Sequence, residues 1–284
     1  MFSHILISCD FDRTLTAPDS TIPQRNLDAI RYFMDNGGAF TVNTGRSLVM
    51  SRALLERVPV NAPVILYNGG AAYDLQKEAF LFLNTIGLDP AETCARIREI
   101  SGDLMVEIQG VDAHYNYVSD PGWLEFYDAN CCPARVIDPG TPVGPFLKMS
   151  IYGPLTSSTV SSLFSGSEEL AARYDYVEEQ LKATYGNQFS YARASRWMLD
   201  LNAAGANKGI AARELANRLD RPILVCIGDE FNDLTMMEEA DFAYCPADGS
   251  LADRYETVCN CADGAIADII YKKIPEILGI SLDI

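Results

Sequence analysis

The stretch His4-Ile5-Leu6-Ile7-Ser8-Cys9-Asp10-Phe11-Asp12-Arg13-Thr14 decides the fold. Its first half is mostly apolar and β-branched, the signature of a strand buried on both faces, as in parallel sheets. Its second half places two carboxylates one residue apart beyond the strand's C-terminal end, where open α/β sheets carry their chemistry. In extended geometry Asp10 and Asp12 would point to the same side and face one substrate. Such a pair suits one carboxylate as nucleophile and the other as proton donor and acceptor, and a divalent cation would relieve its self-repulsion. By itself the pair also fits a turn or a helix cap.

Outward from this strand the pattern repeats. Thr21-Ile22-Pro23-Gln24 has the spacing of a capping box with proline in the first turn, and Leu27, Ile30, Phe33 and Met34 follow at helical spacing up to Gly37-Gly38. A short strand over 39–43 closes on Thr44-Gly45-Arg46, and Ser47 caps a further helix. A third strand over 63–67 ends in Asn68-Gly69-Gly70, and residues 71–83 suggest a hairpin. The expectation is an α/β protein, a Rossmann-like doubly wound parallel sheet.

Near Thr85 the pattern changes. Asp89-Pro90-Ala91-Glu92 opens a helix to about Ile100, strands over 104–109 and 113–118 flank a turn at 110–112, and 119–145 is an irregular segment rich in Pro, Gly and aromatics. Of its aromatics, Trp123, Phe126 and Tyr127 are expected to pack into a core. A strand over 146–152, a largely helical stretch over 156–183 and a strand over 188–194 complete an inserted α+β domain, 85–193, between the core segments 1–84 and 194–284. The core is expected to resume with a strand at Trp197, then a helix opened by Asn207-Lys208-Gly209. The apolar strand 222–227 follows, running into Gly228-Asp229-Glu230-Phe231-Asn232-Asp233.

Composition narrows the function. The 284 residues are 48% hydrophobic and 21% charged, ordinary for globular cores. With 22 Lys and Arg against 39 Asp and Glu, the formal charge is -17, which argues against nucleic-acid and anionic-membrane partners. No apolar run approaches the roughly 20 residues of a membrane span. No signal-peptide pattern stands at the N-terminus, and the eight scattered cysteines read as reduced core thiols, so a cytoplasmic monomer or weak homo-oligomer is expected.

Three strand tips thus end in polar clusters that a parallel sheet brings together, and each supplies a requirement of phosphoryl transfer. Asp10 is the candidate nucleophile and Asp12 the acid/base. Thr44 can donate a hydrogen bond to the phosphoryl group, and Lys208 can place a positive charge beside it. Asp229 and Asp233, with Asp10, form an oxygen-rich shell suited to magnesium. Taken singly, Thr44-Gly45 could be a turn, Lys208 a solvated charge and Asp229, Asn232 and Asp233 helix caps. Their order and placement together favour the functional reading.

The motifs Asp10-x-Asp12-x-Thr14, Thr44-Gly45-Arg46, Lys208-Gly209 and Gly228-Asp229-x-x-Asn232-Asp233 resemble those of the haloacid dehalogenase superfamily. The Asn68-Gly69-Gly70 turn and the position of the insertion are similar to the Cof-type phosphatases. The resemblance implies a Rossmann-like core with an α/β cap inserted between the threonine and lysine motifs. It also implies magnesium-dependent hydrolysis of small phosphorylated metabolites, sugar phosphates foremost, through an aspartyl-phosphate. Carried over by position, it makes Asp10 nucleophile and metal ligand. Asp12 becomes acid/base and gives its backbone carbonyl to the metal. Asp229 is a direct ligand, Asn232 and Asp233 hold the metal shell and phosphate region, Thr44 and Lys208 bind phosphoryl oxygens, and Arg46 and Asn68 lie at the site's mouth. A phosphomutase, or a non-catalytic phosphate-binding protein, are the alternatives. One position departs from the family: Arg13 stands where glycine is usual, implying a turn in ordinary φ/ψ space with Arg13 directed to solvent.

Overall fold

The computed structural model describes residues 1–153, 168–196 and 198–282. The chain divides into two compact units, one of Met1–Thr44, Leu54–Phe82 and Lys208–Ile284, the other of Gly45–Ala53 and Leu83–Asn207.

The first unit begins with β1 (Ile5–Cys9), α1 (Gln24–Asp35), β2 (Ala39–Val42) and α2 (Leu48–Leu55), whose N-terminal part belongs to the second unit. There follow β3 (Val64–Leu66), β4 (Ala71–Asp74) and β5 (Ala79–Leu83). The second unit supplies α3 (Pro90–Ser101), β6 (Met105–Gly110), β7 (His114–Asn116), α4 (Pro121–Ala129) and β8 (Ala134–Val136). It continues with β9 (Phe146–Tyr152), α5 (Glu168–Tyr185), β10 (Phe189–Ser195) and β11 (Met198–Ala203). The first unit is completed by α6 (Lys208–Arg218), β12 (Ile223–Ile227), α7 (Leu234–Glu239), β13 (Phe242–Pro246), β14 (Glu256–Val258), α8 (Ala265–Asp268) and α9 (Ile274–Leu278).

The first unit's main sheet runs β14-β13-β12-β1-β2, parallel throughout. All five residues of β1 are buried, as its mostly apolar run predicts for a central parallel strand. Leu6, Ile65, Leu215, Leu224, Cys226 and Met236 form part of the core between this sheet and its helices. The third strand of the sequence reading, β3, meets the tip of β2 only through a single bridge between Asn43 and Ile65. Its regular partner is β4, antiparallel, so β3-β4-β5 is a small separate sheet.

The second unit is built on a six-stranded sheet of order β10-β11-β9-β6-β7-β8. One face carries Val106, Ile108, Met149, Ile151, Leu199 and Leu201, packed with Ile97 from α3 and Tyr174, Val177 and Leu181 from α5. β11 lies between β9 and β10 in this sheet, so the residues after Trp197 extend the second unit instead of reopening the first. The strand's alternation satisfies either sheet; antiparallel pairing with both neighbours decides the matter. Trp197 itself, and the stretch 156–167 expected to be helical, lie outside the described residues.

Local signals mostly hold. Asp89 caps α3 by accepting the Glu92 N–H (2.8 Å), and Met50 donates its N–H to Ser47 Oγ (3.2 Å) at the start of α2. Two differ. The capping box at Thr21 does not form, because Asp19 Oδ1 takes both the N–H and the hydroxyl of Thr21, and α1 starts behind Pro23 with no side-chain cap. The irregular segment after Ser119 contains α4, where Asp120 accepts the Trp123 N–H (3.0 Å) and Pro121 opens the first turn. Trp123 and Tyr127 are buried core residues, with Phe126 packed against them.

Candidate active site

β1 ends at Cys9, and the chain then leaves the strand in a compact helical turn over Phe11–Leu15. Asp10 is buried, whereas Asp12 is half-buried on the turn. Arg13 overturns the sequence expectation. It sits at φ 59° and ψ 10°, the left-handed region that the glycine usual here enters without penalty. The Arg13 side chain is exposed, and its N–H donates to Thr16 Oγ1 (3.1 Å), which holds the turn in that conformation.

Carboxylate oxygens from Asp10, Asp229 and Asp233 all lie within 4.8 Å of one another. Asp229 comes from the tip of β12, which pairs directly with β1, so parallel register delivers Asp10 and Asp229 side by side. Thr14 donates its hydroxyl to Asp229 Oδ1 (2.8 Å). Asp233 Oδ2 accepts the N–H groups of Asp229 and Glu230, each at 3.1 Å. That fold-back needs Gly228, since a Cβ there would stand 2.5 Å from Cβ and Cγ of Asp233.

Lys208 opens α6 and is fully buried, with its Nζ 2.6 Å from both Asp10 Oδ1 and Asp233 Oδ1. Gly209 makes this possible, because a Cβ there would meet the Thr235 carbonyl oxygen at 2.0 Å and push α6 off α7. Asn43 Nδ2 donates to the Lys208 carbonyl (3.0 Å) and to Ser8 Oγ (3.2 Å), bracing the lysine from β2. Neither Asn43 nor Ser8 carries a recognisable motif, and only their burial beside this cluster reveals them.

The electrostatics are those of an undercompensated anionic site. Burial and then the Asp233 charge drive the Asp10 carboxyl well above the usual carboxylate range, against the pull of Lys208. Burial and Asp233 likewise push Asp229 up to about 7, with the Thr14 hydrogen bond opposing. Burial lowers the Lys208 pKa, but Asp10 and Asp233 more than offset it, so the ammonium stays charged. Three carboxylates against one ammonium leave two negative charges in a pocket whose donors are all oxygen, matching one hard divalent cation in charge and ligand type.

The other candidates occupy definite places. Thr44 is buried at the end of β2; its N–H donates to the Ile65 carbonyl (2.9 Å) and its own carbonyl accepts from Asn68 N–H (3.2 Å). Asn68 is buried and adopts φ 53°. Asn232 is half-buried on the turn before α7, and half-buried Arg46 falls in the second unit.

The family model for haloacid dehalogenase-like hydrolase matches residues 7–252. The 5-amino-6-(5-phospho-D-ribitylamino)uracil phosphatase YitU of Bacillus subtilis is 23% identical over 261 residues, 90% of each chain. An HMP-PP phosphatase of Yersinia enterocolitica is 25% identical over 236 residues, 82% of this chain and 80% of its own. Among solved structures, a haloacid dehalogenase-like hydrolase from Bacteroides thetaiotaomicron superposes with a TM-score of 0.73 at 19% identity, covering 95% of this chain and 98% of that one. The chain belongs to the haloacid dehalogenase-like hydrolase family. Within it, the chain is a Cof-type member and a phosphoric monoester hydrolase. No helix among the described residues is long and apolar enough to cross a membrane.

Proposed function

We propose that this protein is a magnesium-dependent phosphatase of small phosphorylated metabolites, with sugar phosphates the leading class, working through an aspartyl-phosphate. The observation that carries this reading is the convergence of Asp10, Asp229 and Asp233 around the buried Lys208 ammonium. Asp10, Asp229 and Asp233 and the backbone carbonyl of Asp12 would hold the magnesium. When bound, the ion supplies positive charge that offsets the carboxylates and the phosphoryl oxygens.

A carboxylate oxygen of Asp10 attacks phosphorus in line, and the bond to the leaving oxygen breaks as Asp12 delivers its proton to that oxygen. Asp12, now ionised, takes a proton from water. The water oxygen attacks phosphorus, the bond to Asp10 breaks, and phosphate leaves with the carboxylate regenerated. Thr44 and Lys208 bind the phosphoryl oxygens, while Arg46, Asn68 and Asn232 contact the substrate. The second unit governs which leaving group is accepted. The substrate named for YitU carries a phosphorylated ribityl group, which supports a phosphorylated polyol or sugar here. The net charge of -17 favours a free metabolite over nucleic acid or an anionic membrane, and a cytoplasmic monomer or weak homo-oligomer completes the reading.

The test is phosphate release from a panel of phosphorylated metabolites, with Asp10→Asn as blank. Steady release without a bisphosphate activator is expected, with Asp12→Asn slower by about 10²-fold or more in both steps. Sugar phosphate isomers interconverting faster than phosphate appears would replace hydrolase with mutase.

A further inference from the structure

Arg46 is bracketed by a buried polar circuit within the second unit that the phosphoryl chemistry leaves unexplained. On one side the Gly45 carbonyl accepts from Lys148 Nζ (2.8 Å), which also pairs with Asp200 Oδ2 (3.0 Å). Asp200 Oδ1 accepts the Ser150 hydroxyl (2.6 Å), and Gln109 Nε2 donates to Ser150 Oγ (3.2 Å) and to Glu107 Oε1 (2.7 Å). Glu107 Oε1 lies 2.9 Å from His114 Nδ1, close enough for ionic attraction though too oblique for an aligned hydrogen bond. His114 Nε2 stands 2.6 Å from Ser47 Oγ. The contacts leave the backbone at Gly45 and return at Ser47, with only Arg46 between.

All the side chains in this circuit are buried, four of them ionisable. Burying ionisable groups is costly, and the opposite face of the same strands shows that apolar packing was open to this sheet. The order serine, imidazole, carboxylate is that of a nucleophile relay, but Ser47 is fully buried and its oxygen already accepts the Met50 N–H as cap of α2. The circuit can therefore act only on the segment it grips. Glu107 is braced from several elements: Trp123 Nε1 donates to its Oε2 (2.6 Å), as does the Tyr152 hydroxyl (3.1 Å). His114 stacks at an angle on Tyr127, 4.9 Å between ring centres.

We propose that Ser47, His114, Glu107 and Lys148 are positioning residues that fix the backbone on both sides of Arg46, so that its guanidinium is ordered before substrate arrives. This rests on the proposed role of Arg46 as a substrate contact. An arginine that must be ordered on binding weakens affinity, and pre-ordering recovers it without touching the chemical step.

The test compares hydrolysis of p-nitrophenyl phosphate by wild type, Arg46→Ala, His114→Gln, Ser47→Ala, Ser47→Thr and the double variant Arg46→Ala/His114→Gln. Amide hydrogen exchange of peptides spanning 45–53 is measured alongside. His114→Gln is expected to raise KM about tenfold with kcat within about twofold, and to speed exchange over 45–53 but not in β1 or β12. Ser47→Thr, which keeps the hydroxyl, stays near wild type. The double variant has the KM of Arg46→Ala alone, because His114 acts through Arg46. Additive KM effects, or wild-type KM and exchange in His114→Gln, overturn the proposal. If His114→Gln does not fold, Ser47→Ala is judged by the same criteria. Should wild type release no phosphate, the phosphatase reading falls. The positioning role is then decided by exchange alone, with unchanged rates over 45–53 counting against it.

Discussion

The ammonium of Lys208 sits 2.6 Å from Asp10 Oδ1 and 2.6 Å from Asp233 Oδ1, one buried cation bridging two strand tips. Removing it leaves three close carboxylates without internal compensation. Lys208→Met is expected to cost about 3–5 kcal/mol, the scale of breaking a buried ion pair, and to slow phosphate release by about 10²-fold or more. Lys208→Arg should not rescue, because a planar guanidinium cannot occupy the point between two oxygens that one Nζ fills. Denaturant midpoints and phosphate release check both, and near-normal turnover of Lys208→Met would remove Lys208 from the machinery.

A second prediction concerns the surplus negative charge. Burial and Asp233 hold the Asp229 carboxyl at a raised pKa, so its ionised form strains the metal-free fold. Asp229→Asn keeps an oxygen to accept from Thr14 while removing that charge. Without magnesium the variant should melt a few degrees higher than wild type, on the scale of about 1–2 kcal/mol. Magnesium should raise the wild-type melting temperature and leave the variant's almost unmoved. Calorimetry with and without the ion reads both; equal magnesium responses would show that Asp229 is no ligand.

At Arg13 the prediction is one of near-neutrality. Leaving φ 59° to glycine relieves about 1 kcal/mol of left-handed strain, and the freer unfolded chain takes back about as much. Arg13→Gly should therefore shift stability by less than about 1 kcal/mol and keep turnover. Arg13→Val, β-branched at the same φ, should cost about 2 kcal/mol and reduce activity through the displaced Asp12. A Val variant as active and stable as Gly would mean that the turn is not held where it stands.

Acid should find the second unit through Glu107. Burial alone would raise this carboxyl, but the adjacent His114 charge and hydrogen bonds from Tyr127 and Trp123 bring it down to about 2. A depressed carboxyl contributes stability that is complete above its unfolded value of about 4.3 and fades as pH falls towards 2. Across that window the loss is about 3 kcal/mol. Glu107→Gln should be less stable than wild type at neutral pH and show a flatter acid limb between about pH 4.5 and 2. Urea midpoints over that range check it; parallel acid limbs would exclude Glu107 as their source.

Much of this was readable in advance, for physical reasons that differ by element. β1 and β12 announce themselves because a strand buried on both faces is apolar along most of its length. Asp10, Lys208, Asp229 and Asp233 were nameable because their types suit one reaction and each stands at a strand tip or helix start. β11 eluded assignment to its sheet because pairing partners distant in sequence leave no mark on the strand itself. Arg13 misled because the Thr16 hydroxyl supports a left-handed residue that only glycine normally advertises. Glu107, His114 and Lys148 were invisible as a group: alternating strands read as half-solvated, and nothing local reveals that the polar side is buried too.

The second unit's discontinuity has a practical consequence. A fragment of residues 83–207 would contain every strand of the six-stranded sheet yet lack Gly45–Ala53. It would expose the surface of Trp123, Tyr127 and Met105 on which Val49 and Met50 pack, and leave His114 without Ser47 and Lys148 without the Gly45 carbonyl. Such a fragment is a sheet with a hole in its polar face. The insertion therefore cannot be exchanged between relatives as a cassette cut at its two obvious ends. A working graft must carry nine residues from upstream, because the stretch beside the threonine motif and the inserted domain share one packed surface.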